Sequence, residues 1–273
     1  MLFRSPNPTL SGRDALAERL EALTEVLRDA APLWRERPFA APELAWEQDL
    51  PGLARWLRAL PPDAIDRLQA DPQGLRHAPD PLPELVDTLT RLSSVGPLAT
   101  HGLATLPDPI PRVSGRKRAQ VAAFVAAAEA ALPLELAVLV DWCSGKGHVA
   151  RTLSASRTVF AIGLERDPER CRTARDLAAS TPAQCAFVAT DVLDRDRWPQ
   201  VPPLRAAVVG LHACGALTDA AIRFAREGHA RALMLAPCCF HFLPHEPVFV
   251  PRSEAGRAAG LEWESSMLRL PTL

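Results

Sequence analysis

Apolar positions along this chain change their rhythm about a third of the way in, and the change divides the sequence into two parts. Through the first hundred residues apolar side chains recur at helical spacing, as in Leu16, Leu20, Leu23 and Leu27, with no strand-like alternation. Ser11 stands three residues before Asp14 in a capping arrangement, so a helix with a buried leucine stripe is expected to start there. Pro42 opens a second helical pattern with Leu44, Leu50, Leu53, Trp56, Leu57 and Leu60, which Pro51 splits in two. Shorter helical patterns cover 63–70 and 83–92.

A proline-rich connector, 97–111, follows, and a helix is expected from about Ser114 with Val121, Phe124, Val125 and Ala128 on one face. The rhythm then alternates. Solid apolar runs at 136–140, 159–164, 186–189, 206–211 and 232–236 predict strands, separated by helical patterns around 149–156, 168–179 and 218–226, with another at 254–259. Strands that are apolar throughout and separated by helices predict a parallel sheet covered on both faces. The expected fold class is therefore α/β, a Rossmann-like doubly wound sheet with an all-helical N-terminal region. The expected division is 1–96 helical, 97–112 linker and 113–273 Rossmann-like, with a sixth strand near 261–267 and little chain left for a seventh.

Composition narrows the class. At 273 residues and 48% hydrophobic content the chain can bury a full core. Six cysteines are too few for a disulfide scaffold, and the opening MLFRSPNPTL lacks the apolar run of a signal peptide, so a cytoplasmic protein with reduced thiols is expected. The most apolar long stretch, 119–140, contains Gln120, Glu129, Pro133 and Glu135, so no membrane helix is expected. Net charge is −1, which argues against a surface that grips nucleic acid all over. It is unevenly spread: residues 1–110 carry 11 arginines and 16 acids (−5), residues 111–273 carry 20 basic residues and 16 acids (+4). Tyrosine is absent, so no mechanism here uses a phenol.

The chemistry gathers in VDWCSGKGHVARTL, from Val140 to Leu153. Gly145, Gly147 and Ala150 fit G-x-G-x-x-A after the first strand, a pattern shared by several nucleotide-binding sheets. A Walker A loop is excluded, because Lys146 is followed by Gly147 and not by Ser or Thr. Three acids sharpen the choice: Asp141 ends the first strand, Glu165 the second and Asp191 the third. Glu165 is placed for ribose hydroxyls in any such sheet. Asp141 would repel a pyrophosphate, whereas S-adenosyl-L-methionine (SAM) offers it an amino group, the turn amides a carboxylate and Asp191 the adenine amine. Cys143 in the turn, Val192 beside Asp191, and Leu211 at the end of the fourth strand complete the expected cofactor-binding set.

The segments VDWCSGKGHVAR, IGLERDPERC, VVGLHACGALTD and APCCFHF resemble the methyltransferase domain of the glutathione S-transferase C-terminal domain-containing protein. They are also similar to methyltransferase-like proteins grouped with the rRNA adenine dimethylase-related proteins. The basic segment SGRKRAQV is similar to one preceding the glycine turn in those proteins, and the resemblance covers about 107–243. It implies a Rossmann-like, SAM-dependent methyltransferase. Phe240 departs from the usual tyrosine after the cysteine pair.

In strand order 3-2-1-4-5 the ends of strands one, four and five are neighbours, which would bring Cys143, His212, Cys214, Cys238, Cys239 and His241 around one crevice. Four readings of this cluster stay open. The thiols pack under the cofactor; His212 or His241 acts as general base; or Cys and His bind zinc, although adjacent Cys238 and Cys239 lack C-x₂-C spacing. The last is thiolate attack on a pyrimidine ring. His212, Cys214, Cys238, Cys239 and His241 are the expected catalytic group, and no metal is assigned. The acceptor stays open among RNA, protein and a small molecule, with Arg116, Lys117 and Arg118 as candidate phosphate contacts and the loops after strands four and five, with the connector Asp108–Arg112, as candidate acceptor-positioning segments. A non-catalytic SAM-binding module and an NAD-dependent oxidoreductase are the rival functions, and the oligomeric state is not read.

Overall fold

Which face of the sheet each strand residue serves is set by the alternation of side chains along a β-strand, and this alternation places the site. The computed structural model describes residues 13–36, 42–94, 115–239, 248–251, 253–261 and 263–264. The chain divides into two compact units, Met1–Pro97 with Val248–Trp263, and Leu98–Pro247 with Glu264–Leu273.

In the first unit the helices are α1 (Arg13–Asp29), α2 (Ala31–Trp34), α3 (Trp46–Asp49), α4 (Pro51–Arg58), α5 (Pro62–Ala70) and α6 (Leu82–Ser93), with a 3₁₀ turn at Pro72–His77. Pro51 does more than break the predicted second helix: it stands at the first position of α4, where its missing N–H costs nothing. The leucine stripe of α1 is less buried than its spacing predicts. Leu16 is 54% exposed, Leu20, Leu23 and Leu27 are half-buried, and the buried side chain is Thr24, whose hydroxyl donates to Leu20 O at 2.7 Å. The predicted capping residue Ser11 lies outside the described residues.

The second unit begins with α7 (Gly115–Ala131) and continues through β1 (Val138–Trp142), α8 (His148–Arg157), β2 (Phe160–Glu165), α9 (Pro168–Ala179), β3 (Cys185–Ala189), β4 (Ala206–Leu211), α10 (Ala216–Glu227) and β5 (Ala232–Ala236). All five strands are parallel, in the order β3-β2-β1-β4-β5. Leu139, Ala161, Phe187, Ala207 and Val209 pack with Val121, Phe124 and Val125 of α7 and with α8 and α9 on one face. Val140, Trp142, Leu164 and Val208 pack with Ala220, Ala221 and Phe224 of α10 on the other. Trp142 is fully buried there, its ring 5.1 Å from Phe224 and its Nε1 donating to Leu217 O at 3.0 Å.

The remaining elements are β6 (Val248–Phe249), α11 (Glu254–Ala258) and β7 (Trp263–Glu264). Of the strand expected near 261–267, the described residues hold β7, which pairs with β6 in a separate two-stranded sheet; 262 and 265–267 lie outside the described residues. Among the described residues no helix is long and apolar enough to cross a membrane.

Gly147 decides how closely the turn after β1 can approach β3. Its φ is +68°, and a Cβ built there would meet the Phe187 ring at 2.3 Å and the Ala174 methyl at 3.3 Å. Gly147→Ala is therefore expected to destabilise the protein by roughly 2 kcal/mol or more, combining left-handed strain with overpacking. Urea denaturation checks this, and an unchanged midpoint would refute the close packing.

Candidate functional site

Beyond the carboxyl ends of β1, β2, β3 and β4 lies a cavity of about 400 Å³. In an open parallel sheet this is the crevice where strand order reverses, between β1 and β4. Asp141, Cys143, Gly145, Glu165, Asp191, Val192 and Leu211 line it, as does His212. Seven of the eight residues expected to bind cofactor thus share one wall. Gly147 is the exception, and it supports the turn from behind through Phe187. Gly145, with φ +56°, has open space where a Cβ would stand.

The two acids at the ends of β1 and β2 hold the glycine turn. Asp141 shares the face of Leu139, toward α8, and its Oδ2 accepts from Ala150 N–H at 3.0 Å, in the first turn of that helix. A carboxylate there satisfies a free helix amide and complements the helix dipole. Glu165 Oε2 accepts from Gly145 N–H at 3.0 Å while Oε1 accepts from Asp167 N–H at 2.9 Å. Gly147 N–H donates to Ser144 O at 2.8 Å, so the Gly145 and Gly147 amides are engaged within the protein. Asp191 closes the next strand end, its Oδ1 accepting from Leu193 N–H at 3.0 Å.

Burial governs the electrostatics. Asp141 is 2% exposed, and desolvation pushes its carboxyl up to about 7; the Ala150 hydrogen bond pulls it down and the Glu165 charge adds to the rise. Burial also pushes the Cys143 thiol up to about 12, with the charges of Glu165, Asp141 and Asp191 adding to it, so Cys143 is a protonated, unreactive thiol. His148 moves the other way, to about 4, because burial and then the Arg151 charge disfavour the imidazolium. Arg151 Nη2 stands 2.8 Å from His148 Nδ1; guanidinium can only donate, so Nδ1 accepts and the ring proton sits on Nε2.

Two side chains at the strand ends adopt backbone conformations normally left to glycine: Cys143 at φ +60° and His212 at φ +67°. They follow neighbouring strands, β1 and β4, and such strain gathers at binding sites. His212 is held by its N–H to Ala236 O at 3.0 Å and by its Nε2, which donates to Gln120 Oε1 of α7 at 3.2 Å.

Of the expected catalytic group, Cys214, Cys238 and Cys239 lie together at the ends of β4 and β5, while His241 lies outside the described residues, as does the connector Asp108–Arg112. The Cys214 and Cys238 sulfurs are 3.1 Å apart and those of Cys238 and Cys239 3.6 Å. The hydrogen bond with Cys214 and then burial push the Cys238 thiol up to about 12, which leaves it a poor nucleophile. Sequence reasoning named Lys117 only as a candidate phosphate contact and missed Arg166 and Arg170 as lining residues, along with Ser144, His148 and Thr190. The Ser144 and Thr190 hydroxyls are buried with no hydrogen-bond partner.

Residues 116–246, which hold the sheet and its cavity, match the family described as a methyltransferase domain. Among solved structures, the chain is similar to P. horikoshii TYW2 in complex with MeSAdo, at 14% identity over 42% of this chain and 39% of that one, TM-score 0.30. It is also similar to M. capricolum TrmK in complex with S-adenosyl-homocysteine (9%, over 46% and 52%, TM-score 0.32) and to E. coli YjhP (15%, over 57% and 59%, TM-score 0.35). The matches span about two fifths of the length of the first of these solved structures. No curated protein matches the chain.

Asp141 and His148 tie stability to pH in opposite directions. Between pH 3.8 and about 7 the folded state holds a proton on Asp141 that the unfolded state has lost, so this term lowers stability as pH rises. Between about pH 4 and 6.5 the unfolded state protonates His148 and the folded state does not, so this term raises stability with pH. Relative to wild type, Asp141→Asn should gain stability as pH rises from 4 to 7, by up to about 4 kcal/mol. His148→Gln should lose its relative advantage as pH rises from 4 to 6.5. Denaturation at stepped pH checks both signs, and differences from wild type that do not vary with pH would contradict the assignments.

Proposed function

We propose that this protein is a SAM-dependent methyltransferase whose cofactor lies in the cavity beyond β1, β2 and β3. The observation that carries this reading is the convergence of Asp141, Glu165 and Asp191 on one cavity beside the glycine turn of a methyltransferase domain. SAM carries a positive amine and sulfonium, and three carboxylates at the cavity wall complement that charge. The residues present fit it. In this reading Glu165 takes the ribose and Asp191 the adenine, Val192, Leu193 and Leu211 offer apolar wall, and the Ser144 and Thr190 hydroxyls have no protein partner to give up. Asp141, ionising near neutral pH, takes the amine in the same reading.

Bound there, SAM supplies an electrophilic methyl group on an excellent leaving group, so the chain's own task is chiefly positioning. His212, held in a strained conformation on the cavity wall, orients the acceptor side. Its Nε2 proton is donated to Gln120, which leaves Nδ1 as the nitrogen able to take a proton from a nucleophile. Lys117, Arg166 and Arg170 on the cavity wall support an acceptor that carries negative charge, and RNA is the acceptor we put first.

Glu165→Ala or Asp191→Ala should weaken SAM or S-adenosylhomocysteine binding by about tenfold or more, about 1.4 kcal/mol, in calorimetric titration. Unchanged affinity would place the cofactor elsewhere, and stabilisation by NADH instead would favour an oxidoreductase. Radiolabelled methyl transfer into a lysate should then appear in material sensitive to RNase; label sensitive only to protease would make the acceptor a protein.

A further inference from the structure

The cysteines at the ends of β4 and β5 form a cluster to which the proposed methyl transfer assigns no role. Cys214, Cys238 and Cys239 present three sulfurs that all lie within 4.8 Å of one another, with closest separations of 3.1 and 3.6 Å. Thiolates around a zinc ion, each at about 2.3 Å, stand about 3.8 Å apart in tetrahedral geometry. The cluster is close to that spacing, and modest side-chain rotation would reach it. The adjacent pair Cys238-Cys239 cannot close a site unaided, but the loop after β4 supplies the third sulfur.

The backbone holds these loops together. Gly215 adopts φ +59° and ψ −124°, a region essentially reserved for glycine, and this lets its N–H donate to Cys239 O at 3.1 Å. Cys238 N–H donates to Cys214 Sγ at 3.1 Å, a contact that stabilises a sulfur carrying negative charge. Cys214 is buried, Cys239 half-buried and Cys238 exposed, so an ion has a route in. Among the described residues no carboxylate joins the group, and a set made of sulfur alone selects soft cations over magnesium or calcium.

We propose that Cys214, Cys238 and Cys239 form a trithiolate site for a soft cation, with Zn²⁺ as its occupant. Three protein ligands leave one coordination position for water or another group. Binding exchanges the three thiol protons for the ion, so uptake releases protons and strengthens as pH rises. The site ties the ends of β4 and β5 together just beyond His212, whose N–H bonds Ala236 across the same two strands. It goes beyond the methyl-transfer reading and does not depend on it.

The test uses the full chain, reduced and stripped of metal, titrated with Cd²⁺ to read thiolate-to-metal charge-transfer absorption, then with Zn²⁺ as competitor and Mg²⁺ as control. About one equivalent of Cd²⁺ per chain should bind, be displaced by Zn²⁺ and be untouched by Mg²⁺. Cys238→Ser and Cys239→Ser should each weaken uptake by more than about tenfold, while Cys171→Ser, away from the cluster, should leave it unchanged. Circular dichroism confirms that each variant folds. Absence of uptake by the folded, reduced wild type would overturn the proposal, as would full uptake by both variants. A Cys214–Cys238 disulfide that forms readily, with no metal bound after its reduction, would overturn it in favour of a redox pair. S-adenosylhomocysteine binding measured on the same samples keeps the two readings apart: its loss with metal binding intact would count against the cofactor site alone.

Discussion

A single buried hydrogen bond, from Ala150 N–H to the Asp141 carboxylate, organises the functional half of this molecule. It joins the end of the central strand to the first turn of the helix that follows, and so fixes where the glycine turn between them must lie. Glu165, on the neighbouring strand, completes the arrangement by taking Gly145 N–H. The turn is thus suspended from two carboxylates of adjacent strands, and the cavity lies in front of it. The arrangement stores electrostatic cost, since desolvation brings Asp141 close to neutrality at physiological pH. A cationic group beside Asp141 would offset that cost.

The same region carries backbone strain. Cys143 and His212 occupy left-handed conformations at the ends of β1 and β4, and both line the cavity. The glycines beside them do different jobs. Gly145 leaves open space against the cavity, Gly147 allows Phe187 to pack behind the turn, and Gly215 joins the loops that carry the cysteines. One motif thus contains a residue facing the cavity and a residue facing the core, and only the surrounding structure distinguishes them.

Much of this was legible in the sequence. The strands stood out because a parallel sheet buried on both faces demands runs of apolar residues, and the fourth and fifth strands fell where the runs did. Asp141, Glu165 and Asp191 were recognisable because an acid at the end of an apolar run breaks the pattern and needs a polar partner there. Contacts between distant segments were not legible. Gln120 meets His212 across 92 residues, and no local pattern marks it. His148 and Arg151, by contrast, were three apart on one helix and were missed because a polar pair in a glycine-turn helix reads as solvated. The leucine stripe of α1 misled in the opposite sense: its spacing is helical, but the neighbours that would cover Leu16 are set by tertiary packing.

The central claim is that the strand-end acids hold a SAM-type ligand, and a crystal structure of the protein grown with saturating S-adenosylhomocysteine addresses it most directly. The ribose hydroxyls should lie within hydrogen-bonding distance of Glu165, the adenine amine near Asp191 and the ligand's amino group near Asp141. Clear density for the ligand outside this cavity, or inside it with the three carboxylates turned away, would contradict the account.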